Sequence, residues 1–220
     1  MKATHQLAEC EAPDGSRMVL QEHDGEYFMK IDGVTLMSTT ATASEQQMAE
    51  LACEGEPRRV LIGGLGFGFT LRRVLELVGP EAEVEVAELL PEVLAWNREH
   101  LADVNGALLD DPRVKIHLGD VKQCIERASG GGLDALLLDV DNGPDSLVHR
   151  DNDRLYGRRG FRKIKSALSR RGRVVFWSAN RDKGFARELA KEFVDVRSIG
   201  AKAYPKAKRF SHTLFVGEKG

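Results

Sequence analysis

One stretch limits what this chain can fold into more than any other. Arg59-Val60-Leu61-Ile62-Gly63 is a short apolar run, the form of a strand buried on both faces. Gly63, Gly64, Gly66 and Gly68 follow within six residues, and Leu71, Val74, Leu75 and Val78 then recur at helical spacing. A strand, a glycine turn and a helix in this order let backbone approach a ligand, because glycine lacks a side chain and tolerates positive φ. The helix N-terminus adds free N–H groups. The spacing is GxGxG, and no Lys-Ser/Thr pair follows, so the turn is not a phosphate-gripping P-loop.

Glu88 makes the turn informative. It ends the next apolar run, Val84-Glu85-Val86-Ala87-Glu88, twenty residues after Gly68. A carboxylate at that place can accept both hydroxyls of a ribose held over the glycines. The plain alternative is a tight strand–helix turn with a solvated Glu.

From Arg58 onward strands and helices alternate. Strands are expected near 59–63, 83–88, 113–118, 133–139 and 172–178, and helices near 67–78, 91–103, 121–128, 154–169 and 182–192. This pattern predicts an α/β fold, a parallel sheet with helices on both faces. Val194–Ile199 and Thr213–Val216 have no helix between them, so the last strand is expected to insert antiparallel beside its predecessor. Upstream, Arg17–Gln21, Tyr27–Ile31 and Thr35–Met37 are joined by Asp24-Gly25 and Asp32-Gly33, the signals of a small antiparallel meander. Residues 1–15 are polar and expected to be loosely held. Ser44-Glu45-Gln46-Gln47 reads as a capping box opening a helix to about Cys53. Two units are expected: 1–56, the meander and linking helix, and 57–220, the main α/β domain.

Ligands of such sheets bind beyond the carboxyl ends of the strands. Asp120 stands there, where its carboxylate could take a hydrogen bond from an exocyclic amine such as that of adenine or cap the helix starting at Val121. Leu136-Leu137-Leu138-Asp139-Val140-Asp141 delivers two acids on one side of an extended segment, followed by Asn142-Gly143-Pro144. Such a pair can orient a cation or take a proton from an amine nucleophile. Tyr156 and Trp177 are the aromatic residues nearest this mouth and the candidates for touching substrate. His149 and His212 are lone candidate bases. No Ser/His/Asp order, no Cys/His pair and no metal-ligand spacing is visible, so no metal is expected.

The net charge of −2 points to neither nucleic acid nor membrane. Cys10, Cys53 and Cys124 are an odd number without CxxC spacing and read as free thiols. No stretch approaches membrane-spanning length, and no apolar signal core follows the first residues, so a cytoplasmic protein is expected.

Val60–Gly68, Val86-Ala87-Glu88-Leu89-Leu90-Pro91-Glu92-Val93, Asp111-Pro112-Arg113-Val114, Gly119-Asp120 and Leu138-Asp139 resemble, in order, the motifs of the spermidine synthases and, more broadly, of class I S-adenosylmethionine-dependent transferases. The Asp32-Gly33 hairpin and Ser44–Glu50 resemble the same family's N-terminal meander and the Tyr-Gln segment after it. The resemblance runs from about 17 to 216. It implies a Rossmann-like class I methyltransferase fold, a seven-stranded mostly parallel sheet with an antiparallel last strand. It implies a nucleoside site of Gln46, Gly63, Gly64, Gly66, Gly68, Glu88, Leu89, Asp120, Val121 and Asp139. Asp139 sits where the family keeps its catalytic acid, with Asp141 as second choice; Asn142, Tyr156 and Trp177 are the candidates for contact with the acceptor.

The departures concern the transferred group. The family's glycine-loop Asp, which helps hold the amino group of decarboxylated S-adenosylmethionine, is Phe67 here, and its Tyr before Gln is Glu45. Lys202, Lys206, Lys208 and Arg209, with Arg150, Arg154, Arg158, Arg159, Arg162, Lys163 and Lys165, form a basic set that would repel a polycation if it rimmed the site. The expected function is therefore alkyl transfer from S-adenosylmethionine, or its decarboxylated form, to a small-molecule nucleophile, with methyl slightly favoured. The alternatives are polyamine aminopropyl transfer and a non-catalytic nucleoside sensor. The exposed meander leaves room for a homodimer.

Overall fold

A computed structural model describes residues 3–105, 107–139 and 155–220. The N-terminal part holds β1 (Thr4–Glu11), β2 (Arg17–His23), β3 (Glu26–Ile31), β4 (Val34–Ser38) and α1 (Ala43–Ala52). Then come β5 (Arg59–Gly63), α2 (Phe69–Leu77), β6 (Glu83–Glu88), α3 (Pro91–Glu99), α4 (Ala102–Asn105), β7 (Val114–Leu118), α5 (Val121–Arg127) and β8 (Leu133–Leu138). The chain ends with α6 (Arg158–Ala167), β9 (Leu168–Ser178), α7 (Lys183–Leu189), β10 (Val194–Ala201) and β11 (His212–Glu218).

The main sheet has seven strands in the order β10-β11-β9-β8-β5-β6-β7. β5 pairs parallel with both β6 and β8, which explains why its run is apolar on both faces. β11 is antiparallel to both neighbours and inserts beside its predecessor as expected, between β9 and β10. The crossover through α7 leaves one strand width open beside β9, and β11 returns to fill it.

Alternate residues of each strand feed two cores. On one face Val60, Ile62, Ala135, Leu137, Val175, Trp177 and Leu214 pack with Met48 and Ala49 of α1 and Leu71 and Val74 of α2. On the other, Leu61, Leu136, Leu138, Val174 and Phe215 pack with Phe161 and Ile164 of α6 and Phe185 of α7. Phe161, Phe176 and Phe185 meet edge to face at 5.2–5.8 Å between ring centres. Each such ring, fully buried, contributes about 1.5–3 kcal/mol.

Four local expectations change. Residues 4–11 are not loose: β1 extends the meander to four strands, because Thr4–Glu11 finds an antiparallel partner in β2. The capping box does not form. Thr42 precedes α1 without a side-chain cap, and the Ser44 hydroxyl donates to Glu45 instead, 2.7 Å away. The helix expected over 91–103 stops at Glu99 and resumes at Ala102, with Leu101 turned into the core. β9 starts directly after α6, four residues earlier than the apolar run suggests. Meander residues Met18, Leu20, Met29 and Ile31 share the α1-side core with Val60 and Ile62. Cys10, Cys53 and Cys124 are free.

Candidate functional site

The glycine turn is built from left-handed backbone. Gly64, Gly66 and Gly68 have φ of +91°, +53° and +81°. At Gly64 a Cβ would stand 2.7 Å from the Asp139 carbonyl oxygen, so the ends of β5 and β8 can touch only because this residue is glycine. At Gly66 the close neighbour is the flexible thioether of Met37, whose Cε would lie 2.9 Å from a Cβ. Gly63 closes β5 and is buried; Gly68 leads into α2.

The turn is pinned from α3. The Asn97 side chain donates to the Gly66 carbonyl and to Val93 O, each at 2.8 Å, and accepts from Asn105. Both asparagines are buried. Asparagine at two core positions carries no periodic signal, and sequence reasoning missed both.

Glu88 ends β6 with 7% of its surface exposed. Its carboxylate accepts from Leu65 N at 2.8 Å and Leu90 N at 2.9 Å. Burial pushes its carboxyl above the ordinary carboxylate range, and the N–H groups of Leu90, Leu65, Leu89 and Gly66 pull it back. The bonds from Leu65 N and Leu90 N take two of the about four lone-pair directions of a carboxylate. The Gly119 amide donates to Glu88 O at 2.8 Å, which sets Asp120 beside it. Asp120 caps α5 by accepting from Lys122 N at 2.9 Å, Val121 is buried, and Leu89 is exposed.

On the α1 face, a cavity of about 30 Å³ lies between the glycine turn and α1. Among the described residues its lining is Met37, Glu45, Gly64, Leu65, Gly66, Phe67, Phe69, Thr70 and Asp139. Two carboxylates therefore face one small space, and none of the described lining residues is a cation. Burial first, and then the Glu45 charge, push Asp139 up to about 7. Burial likewise raises Glu45, against the Ser44 hydroxyl that supports its charged form. Glu45 shares a helical face with the buried Met48, Ala49 and Ala52, a spacing that could have placed it here. Gln46 is exposed and hydrogen bonds Thr42 at 3.3 Å; it does not line this cavity.

Trp177 belongs to the same face. Leu138 pairs with Phe176, so Asp139 and Trp177 follow at one level of neighbouring strands. The Trp177 ring stacks on His212 at 4.6 Å, and burial lowers the His212 pKa. Tyr156 lies on the other face, packed against Phe176 and Phe185. The structure thus brings Glu88, Asp120, the glycines and Asp139 to one end of the sheet and leaves Tyr156 apart. Asp141, Asn142, His149, Arg150 and Arg154 lie outside the described residues.

Two charge clusters sit away from this end. Arg158 and Arg162 pair with Glu192, Lys163 pairs with Glu126, and Lys165 donates to a backbone carbonyl. These α6 cations lie on the face opposite α1 and do not rim the cavity. Glu85, His117 and Cys124 form a group whose ligand atoms lie within 4.8 Å of one another, a cluster assembled from β6, β7 and α5 that local spacing could not reveal. Arg127 donates to both Glu85 and Cys124, so a cation is already in place there, and burial pushes the Cys124 thiol up to about 11.

Comparison with known proteins bears on the family and the fold. A polyamine aminopropyltransferase of Aeropyrum pernix is 32% identical over 55% of this chain and 37% of its own length. Polyamine aminopropyltransferase 1 of Hyperthermus butylicus is 31% identical over 67% of this chain and 49% of its own. The chain thus spans less than half the length of these curated relatives. Spermidine synthase of Thermotoga maritima, a solved structure, superposes with a TM-score of 0.75 at 20% identity, covering 98% of this chain and 72% of that one. That likeness establishes the Rossmann-like fold with its antiparallel strand. Residues 35–198 match the spermine/spermidine synthase domain, three quarters of the sequence, and the chain belongs to that family.

Proposed function

We propose that this protein transfers an aminopropyl group from decarboxylated S-adenosylmethionine to a small amine. The family match over residues 35–198 carries the reading. Two acids in one cavity beside the glycine turn support it, since a cationic substrate suits that charge and a phosphate or carboxylate does not. The sequence favoured methyl transfer on two grounds, Phe67 and a basic rim. Arg158, Arg162 and Lys163 of that rim are ion-paired on the far face, and the relatives named above are aminopropyltransferases.

The residues fit the donor. Glu88 is assigned the ribose hydroxyls, Asp120 stands next to it for an exocyclic amine, and the left-handed glycines keep side chains out of the backbone's approach. The reaction is an in-line displacement. The lone pair of the acceptor nitrogen forms a bond to the carbon next to the sulfonium. The carbon–sulfur pair goes to sulfur, leaving a neutral thioether nucleoside. The proton shed by nitrogen goes to Asp139, whose pKa of about 7 suits an acceptor working near neutrality. Alignment of amine and carbon provides much of the acceleration.

Incubation with either labelled donor and a panel of diamines tests this reading. Thioether nucleoside and aminopropylated amine are expected from the decarboxylated donor. S-adenosylhomocysteine and methylated amine would restore the methyl reading. Tight donor binding with neither product would make the protein a sensor.

A further inference from the structure

Glu85, His117 and Cys124 take no part in the chemistry above. Glu85 and His117 share one face of the sheet, since Glu85 pairs with Lys115 and Ala87 with His117 across β6 and β7. Cys124 meets that face from α5, one turn after the Asp120 cap, and is buried there with Ala87 and Val121. A carboxylate oxygen, an imidazole nitrogen and a sulfur thus lie within 4.8 Å of one another. Tetrahedral ligands of a zinc-sized ion stand roughly 3.3–3.8 Å apart, so small side-chain rotations close the set.

Two further observations point to a ligand. The Nε2 of His117 is shielded from solvent and has no hydrogen-bond partner among the described residues, a state that buried polar atoms rarely keep. The space between Glu85 and Cys124 already draws a cation, because the Arg127 guanidinium donates to both, at 3.2 Å to the Cys124 Sγ. Arg127 leaves the His117 nitrogen unused, and its side chain is half exposed, so it can swing into water.

We propose that Glu85, His117 and Cys124 bind one divalent ion of the zinc class, with Arg127 displaced to solvent and water in the fourth place. Sulfur, nitrogen and oxygen donors together select such an ion over magnesium or calcium, which take oxygen. The fourth place opens outward beside Glu85, whose side chain is 32% exposed. On binding, the Cys124 thiol gives its proton to solvent and the sulfur lone pair forms the bond to the metal. The ion stands on the α5 face, opposite the face of α1 and Asp139, and fastens together β6, β7 and α5, whose ends present Glu88 and Asp120. The site is independent of the aminopropyl reading.

The test is titration of Co2+ into the reduced, tag-free chain, followed by absorption. Wild type should take up one equivalent, with the thiolate-to-cobalt charge-transfer band and the visible bands of a tetrahedral ion, and Zn2+ should bleach both. Cys124→Ser should lose the charge-transfer band, and His117→Gln should bind at least about 10-fold more weakly. Cys53→Ser, which removes a thiol of the other core, should match wild type. Arg127→Gln removes the competing cation from an exposed position and should bind about 2- to 5-fold more tightly, the worth of an exposed ion pair. Zn2+ should raise the melting temperature of wild type and leave that of Cys124→Ser unmoved.

No tetrahedral spectrum in wild type, a charge-transfer band that survives in Cys124→Ser, or weaker binding in Arg127→Gln would overturn the site.

Discussion

The side-chain amide of Asn97 donates to the carbonyl of Gly66 across 2.8 Å, tying α3 to the crest of the glycine turn. Asn97 is buried and Gly66 half-buried, so water can replace the bond only in part. Asn97→Leu keeps the bulk and strands the Gly66 carbonyl. It should cost about 1–3 kcal/mol in chemical denaturation. Nucleoside affinity should fall with it. A variant as stable as wild type would show that the bond is not needed to hold the turn.

The Glu88 carboxylate holds Leu65 N and Leu90 N, and the proposed function gives it a second job as acceptor of the ribose hydroxyls. In Glu88→Gln one oxygen becomes an amide donor pointing at an N–H. A stability loss of about 1–3 kcal/mol is expected, together with weaker donor binding by calorimetry. Loss of stability with unchanged donor affinity would place the ribose elsewhere.

The glycines of the turn should not be equivalent. Gly64→Ala drives a Cβ into the Asp139 carbonyl at left-handed φ, and neither backbone can yield cheaply. Gly66→Ala meets only the end of the Met37 side chain, which can swing, so its cost is mainly the left-handed backbone, about 1–2 kcal/mol. Thermal melts should therefore rank Gly64→Ala as the more damaging. The reverse order would mean that Met37 is fixed.

Asp139→Asn should slow transfer at least about 100-fold with donor affinity kept within a few-fold, measured by single-turnover kinetics. It should also stabilise the fold above neutral pH. The folded-state pKa of Asp139, about 7, lies above the ordinary carboxyl value, so the carboxyl's contribution is full below about pH 4 and is lost as pH rises through 7. Asparagine never ionises and loses nothing. The melting advantage of Asp139→Asn should be present at pH 8 and vanish toward pH 4. A constant difference across that range would mean that Asp139 ionises freely.

What the sequence revealed was what periodicity and turn chemistry encode. β5 could be read from Val60–Ile62, the meander from Asp24-Gly25 and Asp32-Gly33, and the sheet end from Gly63–Gly68 and Glu88. What it hid was tertiary. Gln46 matched a motif, yet α1 turns Glu45 inward; helical spacing puts Glu45 on the face of Met48, Ala49 and Ala52, but packing decides that this face meets the cavity. Glu85, His117 and Cys124 meet through three elements with no local spacing to announce them. Thr4–Glu11 looked loose because polar residues on an edge strand pair by backbone rather than by buried side chains. The α6 cations read as a rim because a count of charge ignores which face it lies on.

The interior place of β11 sets an order of assembly. Among the described strands β10 pairs with β11 alone, and β9 has β11 on one side, so the penultimate strand has no described partner in the sheet until His212–Glu218 has been made. During synthesis Val194–Ala201 must wait for it. The strand bearing Trp177 keeps an open edge meanwhile, so β11 fills an interior place and β10 closes the sheet outside it, out of the order in which the strands are translated.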